Sequence, residues 1–167
     1  MLEWQKILCP VDFSSTSRRA LNAAAELAQM HGAELHLLHV YQAPGVSFPE
    51  ATIYAGDDVL QQLVDMVVKS LSEWKVEAER KGALNVVTHT AMGVPFAEIL
   101  RFAERHEVDL IVMGTHGRTA LMRVLIGSVA EKVVRHAPCP VLTVRPEKVQ
   151  AEVSETLRSQ APEPAPS

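Results

Sequence analysis

Asp109-Leu-Ile-Val-Met113, followed by Gly114-Thr-His-Gly-Arg-Thr-Ala-Leu-Met-Arg-Val-Leu-Ile-Gly-Ser128, is the stretch on which the reading of this chain turns. The apolar run reads as a buried strand. Glycines follow at 114, 117 and 127, and then a hydroxyl residue opens a helix-like stretch. A strand, a glycine-bearing loop and a helix start together describe an anion site. Glycine lets a backbone approach a ligand closely and takes positive φ without strain. Free N–H groups and the positive end of the dipole at a helix start attract phosphate. Arg118 and Arg123 add positive charge to the same loop.

The spacing is not that of the two best-known phosphate loops. No lysine precedes Ser128, so the pattern G-x-x-x-x-G-K-[ST] is missing, and G-x-G-x-x-G is missing too. What stands here is G-x2-G-x9-G-S.

Working outward from the loop, strand and helix signals alternate. An apolar run over about 5–11 ends at Asp12. A helix is expected over about 15–31, capped by Ser14 or Ser15, striped by Leu21, Ala24, Ala25 and Ala28, and ended by Gly32. A strand over about 34–41 precedes a loop containing Pro44, Gly45, Pro49 and Gly56. Leu60, Leu63, Val64, Val67, Leu71 and Trp74 stand at helical spacing and predict a long helix over about 57–81, closed by Gly82. A strand over about 84–91 leads to a helix that begins at Pro95, where proline is tolerated. Phe96, Ile99, Leu100 and Ala103 are its buried stripe. The strand 109–113, a helix over about 128–136 and a strand over about 140–145 complete the order βαβαβαβαβ. Such alternation implies one α/β domain with a parallel sheet covered on both faces.

Composition sets the limits. The 167 residues are enough for one domain, and 47% hydrophobic content is enough for its core. A net charge of -4 and a pI near 6.0 argue against nucleic acid as the main partner. No apolar run approaches the roughly 20 residues of a membrane span, so no membrane partner is expected. The N-terminus lacks the pattern of a signal peptide, and a cytoplasmic location is the expectation. Cys9 and Cys139 both fall in predicted strand segments beside proline and read as buried free thiols. The histidines are scattered. His36 and His39 fall on opposite faces of a strand, and no spacing matches a metal motif. Met66, Met92 and Met113 read as core filling, and Met113 can also border a bound base. Residues 147–167, ending Ala161-Pro-Glu-Pro-Ala-Pro-Ser, read as a disordered tail beyond a domain of residues 1–146.

Three further segments join the glycine loop in one resemblance: Lys6-Ile-Leu-Cys-Pro-Val-Asp-Phe-Ser14, Ala33-Glu-Leu-His-Leu-Leu-His-Val40 and His136-Ala-Pro-Cys-Pro-Val-Leu-Thr-Val-Arg145. Together they cover roughly residues 4 to 146, and the chain resembles the ATP-binding branch of the universal stress protein family. The resemblance implies a Rossmann-like, doubly wound five-stranded sheet of order 3-2-1-4-5. Its topological switch point then lies between strands one and four, where ligands of open α/β sheets bind. Asp12 ends strand one and Gly114 ends strand four, so the two meet there. The resemblance further implies ATP as ligand, with Mg²⁺, held by Pro10, Val11, Asp12, Val40, Met113, Gly114, His116, Gly117, Arg118, Gly127, Ser128 and Val129, with Asp12 near the metal.

Several of these residues have a second reading. Gly114 and Gly117 can simply end a strand and make a turn. Ser128 can cap its helix through its hydroxyl, which by itself explains a serine there. Asp12 can be a turn residue rather than a partner of ribose or Mg²⁺. Arg118 and His116 can be solvated loop residues. In the family the backbone at Val40 faces the adenine.

The segment 140–145 lies at a sheet edge in the implied order, with few charges to protect it. It is expected to pair with its copy in a homodimer. For catalysis the sequence offers no G-x-S-x-G elbow and no supported carboxylate pair. The expectation is a nucleotide-binding sensor or switch in the stress response, at most a slow ATPase. A ligand-free dimeric scaffold acting through unknown protein partners and an adenylate-transferring enzyme are the competing readings. The intact glycine loop speaks against the first, and the lack of room for a second domain speaks against the other.

Overall fold

The computed structural model describes residues 3–42, 45–47, 52–54, 56–115 and 126–147. His116, Gly117, Arg118, Arg123 and the segment 148–167 lie outside the described residues.

Five strands form one parallel sheet: β1 (Lys6–Pro10), β2 (Glu34–Tyr41), β5 (Asn85–Met92), β6 (Leu110–Gly114) and β7 (Val141–Val144). Their spatial order is β5-β2-β1-β6-β7, which is the expected 3-2-1-4-5. Between β2 and α2 the sequence predicts only a loop. The structure instead has a two-stranded antiparallel ribbon, β3 (Gly45–Ser47) and β4 (Thr52–Tyr54), with Val46 opposite Ile53. The proline and glycine density of this stretch reads as loop, and three-residue strands are too short for alternation to show.

Helices cover both faces. α1 (Ser15–His31) starts where the Ser14 side chain accepts the Ser17 N–H, and it stops at Gly32, whose φ of 63° is left-handed. Its buried face is mostly small: Ala20, Ala24, Ala25 and Ala28 let the helix lie close on the sheet. α2 (Asp57–Arg80) buries Val67, Leu71, Trp74 and Ala78 at helical spacing on the same side. These residues pack with Ile7, Cys9, Leu35, Leu37 and Val112 from the sheet. On the other face, Leu8, Leu38, Ile111 and Met113 meet Ile99 and Ala103 of α3 (Pro95–Arg105) and Ala130 and Val133 of α4 (Ser128–His136). Burial of β1 and β6 on both sides explains their unbroken apolar runs.

Three expectations need correction. Met66 and Met92 are 68% and 55% exposed, so of the three methionines only Met113 is core. Met66 lies beside the α2 stripe rather than within it, and Met92 ends an edge strand. Cys139 is half-buried in the turn before β7, not in a strand. Cys9 is fully buried, and loss of water pushes its thiol pKa well up.

His36 and His39 do face opposite sides of β2. His36 Nδ1 lies 3.0 Å from His89 Nε2, and both rings pack around Phe102 and His106. Burial lowers the pKa of His36 and His89. For His36, Glu34 opposes this while His106 and Lys6 reinforce it. The fold thus holds neutral imidazoles, and the unfolded chain binds more protons once pH falls below the ordinary 6.5. Stability should therefore drop on acidification from about pH 7.5 to about pH 5.5, and His89→Gln should flatten that drop. Thermal melts across this window check it. An unchanged slope in the variant would assign the sensitivity to other groups.

Candidate functional site

β1 ends at Pro10, and the chain must then turn into α1. The turn is tightly specified. Val11 N–H donates to the Leu38 carbonyl at 2.8 Å, and the Val11 carbonyl lies 2.7 Å from His39 Nδ1. Phe13 takes φ of 65°, a left-handed conformation that side chains rarely adopt. Its ring stacks on His39 at 4.5 Å and meets Trp74 edge-on at 5.3 Å. That packing offsets a strain of about 1–3 kcal/mol.

Asp12 stands in this turn. Its Oδ1 accepts the Ser14 N–H at 3.0 Å, and its own N–H donates to Ser17 Oγ at 3.2 Å. Its turn reading is therefore correct, but only one carboxylate oxygen is used in a described hydrogen bond.

Opposite Asp12, β6 runs into the glycine loop. Thr115 N–H donates to the Val144 carbonyl at 2.9 Å, and the Gly127 N–H donates to the Thr115 carbonyl at 2.6 Å. The loop therefore leaves and re-enters the domain at one point. α4 then begins with Gly127 as its cap residue, in extended backbone and with no side-chain capping bond. Ser128 is the first helical residue and is exposed, so it does not cap the helix as expected. Among the described residues no side chain caps the start of α4, which keeps it suited to an anion.

These parts enclose a pocket of about 250 Å³ at the carboxyl ends of β1 and β6. Pro10, Val11, Asp12, Val40, Met113, Gly114, Gly127, Ser128 and Val129 all line it. His116, Gly117 and Arg118 lie outside the described residues. Six lining residues went unread in the sequence: Ser17, Leu38, Pro95, Ile99, Thr115 and Ala130. Pro95 and Ile99 were legible only as a helix start and a buried stripe. Ser17, three residues after the cap, carried the one available signal.

The lining divides chemically. Leu38, Val40, Pro95, Ile99 and Met113 make an apolar part suited to a flat base. Asp12, Ser17 and the start of α4 make the polar part. No histidine, cysteine or lysine is among the described lining residues, and Asp12 is the single charged one. Among the described residues no group of three or more His, Cys, Asp or Glu is arranged to hold a metal ion. A carboxylate with one unengaged oxygen does fit Mg²⁺ carried in on phosphates, since that ion is commonly held by one or two carboxylates plus phosphate oxygens.

Gly114 has a reason of its own. A Cβ there would lie 2.9 Å from Thr16 Cγ2 and 3.3 Å from the Thr16 carbonyl carbon. The glycine is demanded by α1 lying against β6, before any ligand is considered. Gly114→Ala should cost about 1–3 kcal/mol, seen as a lower Tm, and Thr16→Ser in the same chain should recover part of it. An alanine variant as stable as the parent would show that α1 gives way freely.

The universal stress protein family model matches residues 3–145 of this chain. Universal stress protein MJ0531 of Methanocaldococcus jannaschii is 39% identical over 153 residues, spanning 87% of this chain and 84% of its own length. The structure of universal stress protein UspA from Lactobacillus plantarum superposes with a TM-score of 0.73 at 32% identity, covering 86% of this chain and 99% of that one. The universal stress protein from Archaeoglobus fulgidus, solved in complex with dAMP, shares the fold with a TM-score of 0.59 at 24% identity, over 86% and 99% of the two chains.

Proposed function

The chain belongs to the universal stress protein family, and we propose that it binds ATP with Mg²⁺ at the β1/β6 switch point and serves as a sensor or switch rather than an enzyme. The observation that carries this reading is the pocket itself. An apolar wall for a base, an acid with one unengaged oxygen and a helix start all line a single crevice. The Archaeoglobus protein illustrates that this fold can hold an adenine nucleotide. For this chain the case rests on its own residues. His116, Gly117 and Arg118 complete the proposed phosphate contacts from the loop. Among the described lining residues Asp12 is the single charged group, with no second acid or base beside it, which favours holding ATP over turning it over. The domain is proposed to end near residue 146, with a disordered proline-rich tail after it and a cytoplasmic location.

Native mass spectrometry of freshly purified protein should find an adenine nucleotide bound. In calorimetry, Asp12→Ala should weaken ATP binding by about tenfold or more with Mg²⁺ present, and by less without it. Equal losses in both conditions would remove the metal role. Absence of any ATP binding by the parent chain would favour the ligand-free scaffold.

The proposed homodimer is supported by β7. Ile111 and Thr115 donate to the carbonyls of Pro140 and Val144, so alternate residues of β7 face β6 and Thr143 turns its backbone to the free edge. Leu142 is 41% exposed beside it. Pairing of two such edges would satisfy both. Leu142→Lys combined with Thr143→Pro should shift the protein from dimer to monomer in sedimentation velocity. A dimer that survives both changes has its interface elsewhere.

A further inference from the structure

The polar part of the pocket contains one hydroxyl whose bonding is incomplete. Ser17 is 4% exposed and lines the pocket. Its Oγ accepts the Asp12 N–H at 3.2 Å, and its own N–H donates to Ser14 Oγ at 3.2 Å. Among the described residues no acceptor takes the Ser17 hydroxyl proton. A hydroxyl carries one donor as well as its acceptor lone pairs, and a buried donor left without a partner costs about 1–3 kcal/mol. The site is built so that a ligand acceptor can meet that proton.

The position of Ser17 selects the part of the ligand. The backbone N of Ser17 lies 3.4 Å from where a Gly114 Cβ would stand, and its Oγ reaches Asp12. Ser17 therefore sits at the floor of the crevice, between the ends of β1 and β6. The apolar side chains of Leu38, Val40 and Met113 and the start of α4 line the same crevice. With a base on the wall and phosphate at α4, the group above Ser17 is the sugar. A ribose hydroxyl both donates and accepts. Asp12 has an oxygen to accept from it, and Ser17 has a proton to give to it.

We propose that Ser17 is a ligand-binding residue whose hydroxyl donates to a ribose hydroxyl oxygen, completing with Asp12 a donor–acceptor pair that selects ribonucleotides. The proposal rests on the adenine-nucleotide reading of the pocket. It adds a contact that neither the glycine loop nor Asp12 supplies.

The test uses the full chain with AMP and with 2′,3′-dideoxy-AMP, which lacks both sugar hydroxyls. In calorimetry the parent should prefer AMP, and Ser17→Ala should lose about fivefold for AMP while binding the dideoxy compound as the parent does. That unchanged arm also shows that the variant is folded. If Ser17→Ala does not fold, Ser17→Cys keeps the size with a weaker donor and should show a smaller loss confined to AMP. Equal losses for both ligands would overturn the proposal. A parent that binds AMP but does not distinguish the two ligands would overturn it as well, while leaving the nucleotide reading intact. A parent that binds none of AMP, ATP or the dideoxy compound would overturn the nucleotide reading and this contact with it.

Discussion

Everything at the proposed site depends on the central strand stopping early. β1 pairs with β2 only as far as Pro10 opposite Leu38, while β2 and β5 stay paired to Tyr41 and Met92. On its other side β1 pairs with β6 up to Leu8 opposite Ile111, and β6 continues to Gly114. A parallel sheet whose middle strand ends first leaves a notch between its longer neighbours. The connection from β1 runs through α1 to β2 and that from β6 runs through α4 to β7, so the two leave the notch in opposite directions. The notch needs no loop to shape it. It follows from the strand order and from the lengths of three strands.

What fills the notch is set by how sharply the chain leaves β1. The Val11–Phe13 turn is fixed within the sheet by backbone bonding to Leu38, and on the α1/α2 face by His39 and by Trp74 against Phe13. Aromatic packing on the face away from the pocket thus decides where the Asp12 carboxylate stands within it. The two faces of the sheet are chemically separate but mechanically joined through this turn.

Much of this was legible in the sequence. The apolar runs of β1, β2 and β6, the stripes of α1 and α2, and the Ser14 and Gly32 boundaries all follow from local rules. They emerge within a residue or two of expectation. The site was legible where it lies on strand ends, since topology alone carries Asp12 to Gly114. What was not legible depends on tertiary contact. Gly114 reads as a ligand glycine, yet its space is taken by Thr16. Ser128 reads as a cap, yet the chain enters the helix one residue earlier. Met66 differs from a core methionine only in its angle around α2. Pro95 and Ile99 reach the pocket because α3 crosses beside it, which no spacing within α3 announces. The β3–β4 ribbon is too short to carry a period.

The bond between Gly127 N–H and the Thr115 carbonyl has a consequence for how this loop can vary. A segment whose two ends are pinned together is, in polymer terms, already closed. Doubling the length of such a segment adds only about 0.6 kcal/mol of closure entropy. Residues can therefore be inserted between positions 116 and 126 at small thermodynamic cost to the domain. The same freedom does not extend to the pinning residues. Thr115 is buried, bonded through its backbone to β7 and to Gly127, and with its hydroxyl 3.3 Å from the Val144 carbonyl. Length within the loop and identity at its root are thus separate variables, one cheap to alter and the other bound up with the sheet.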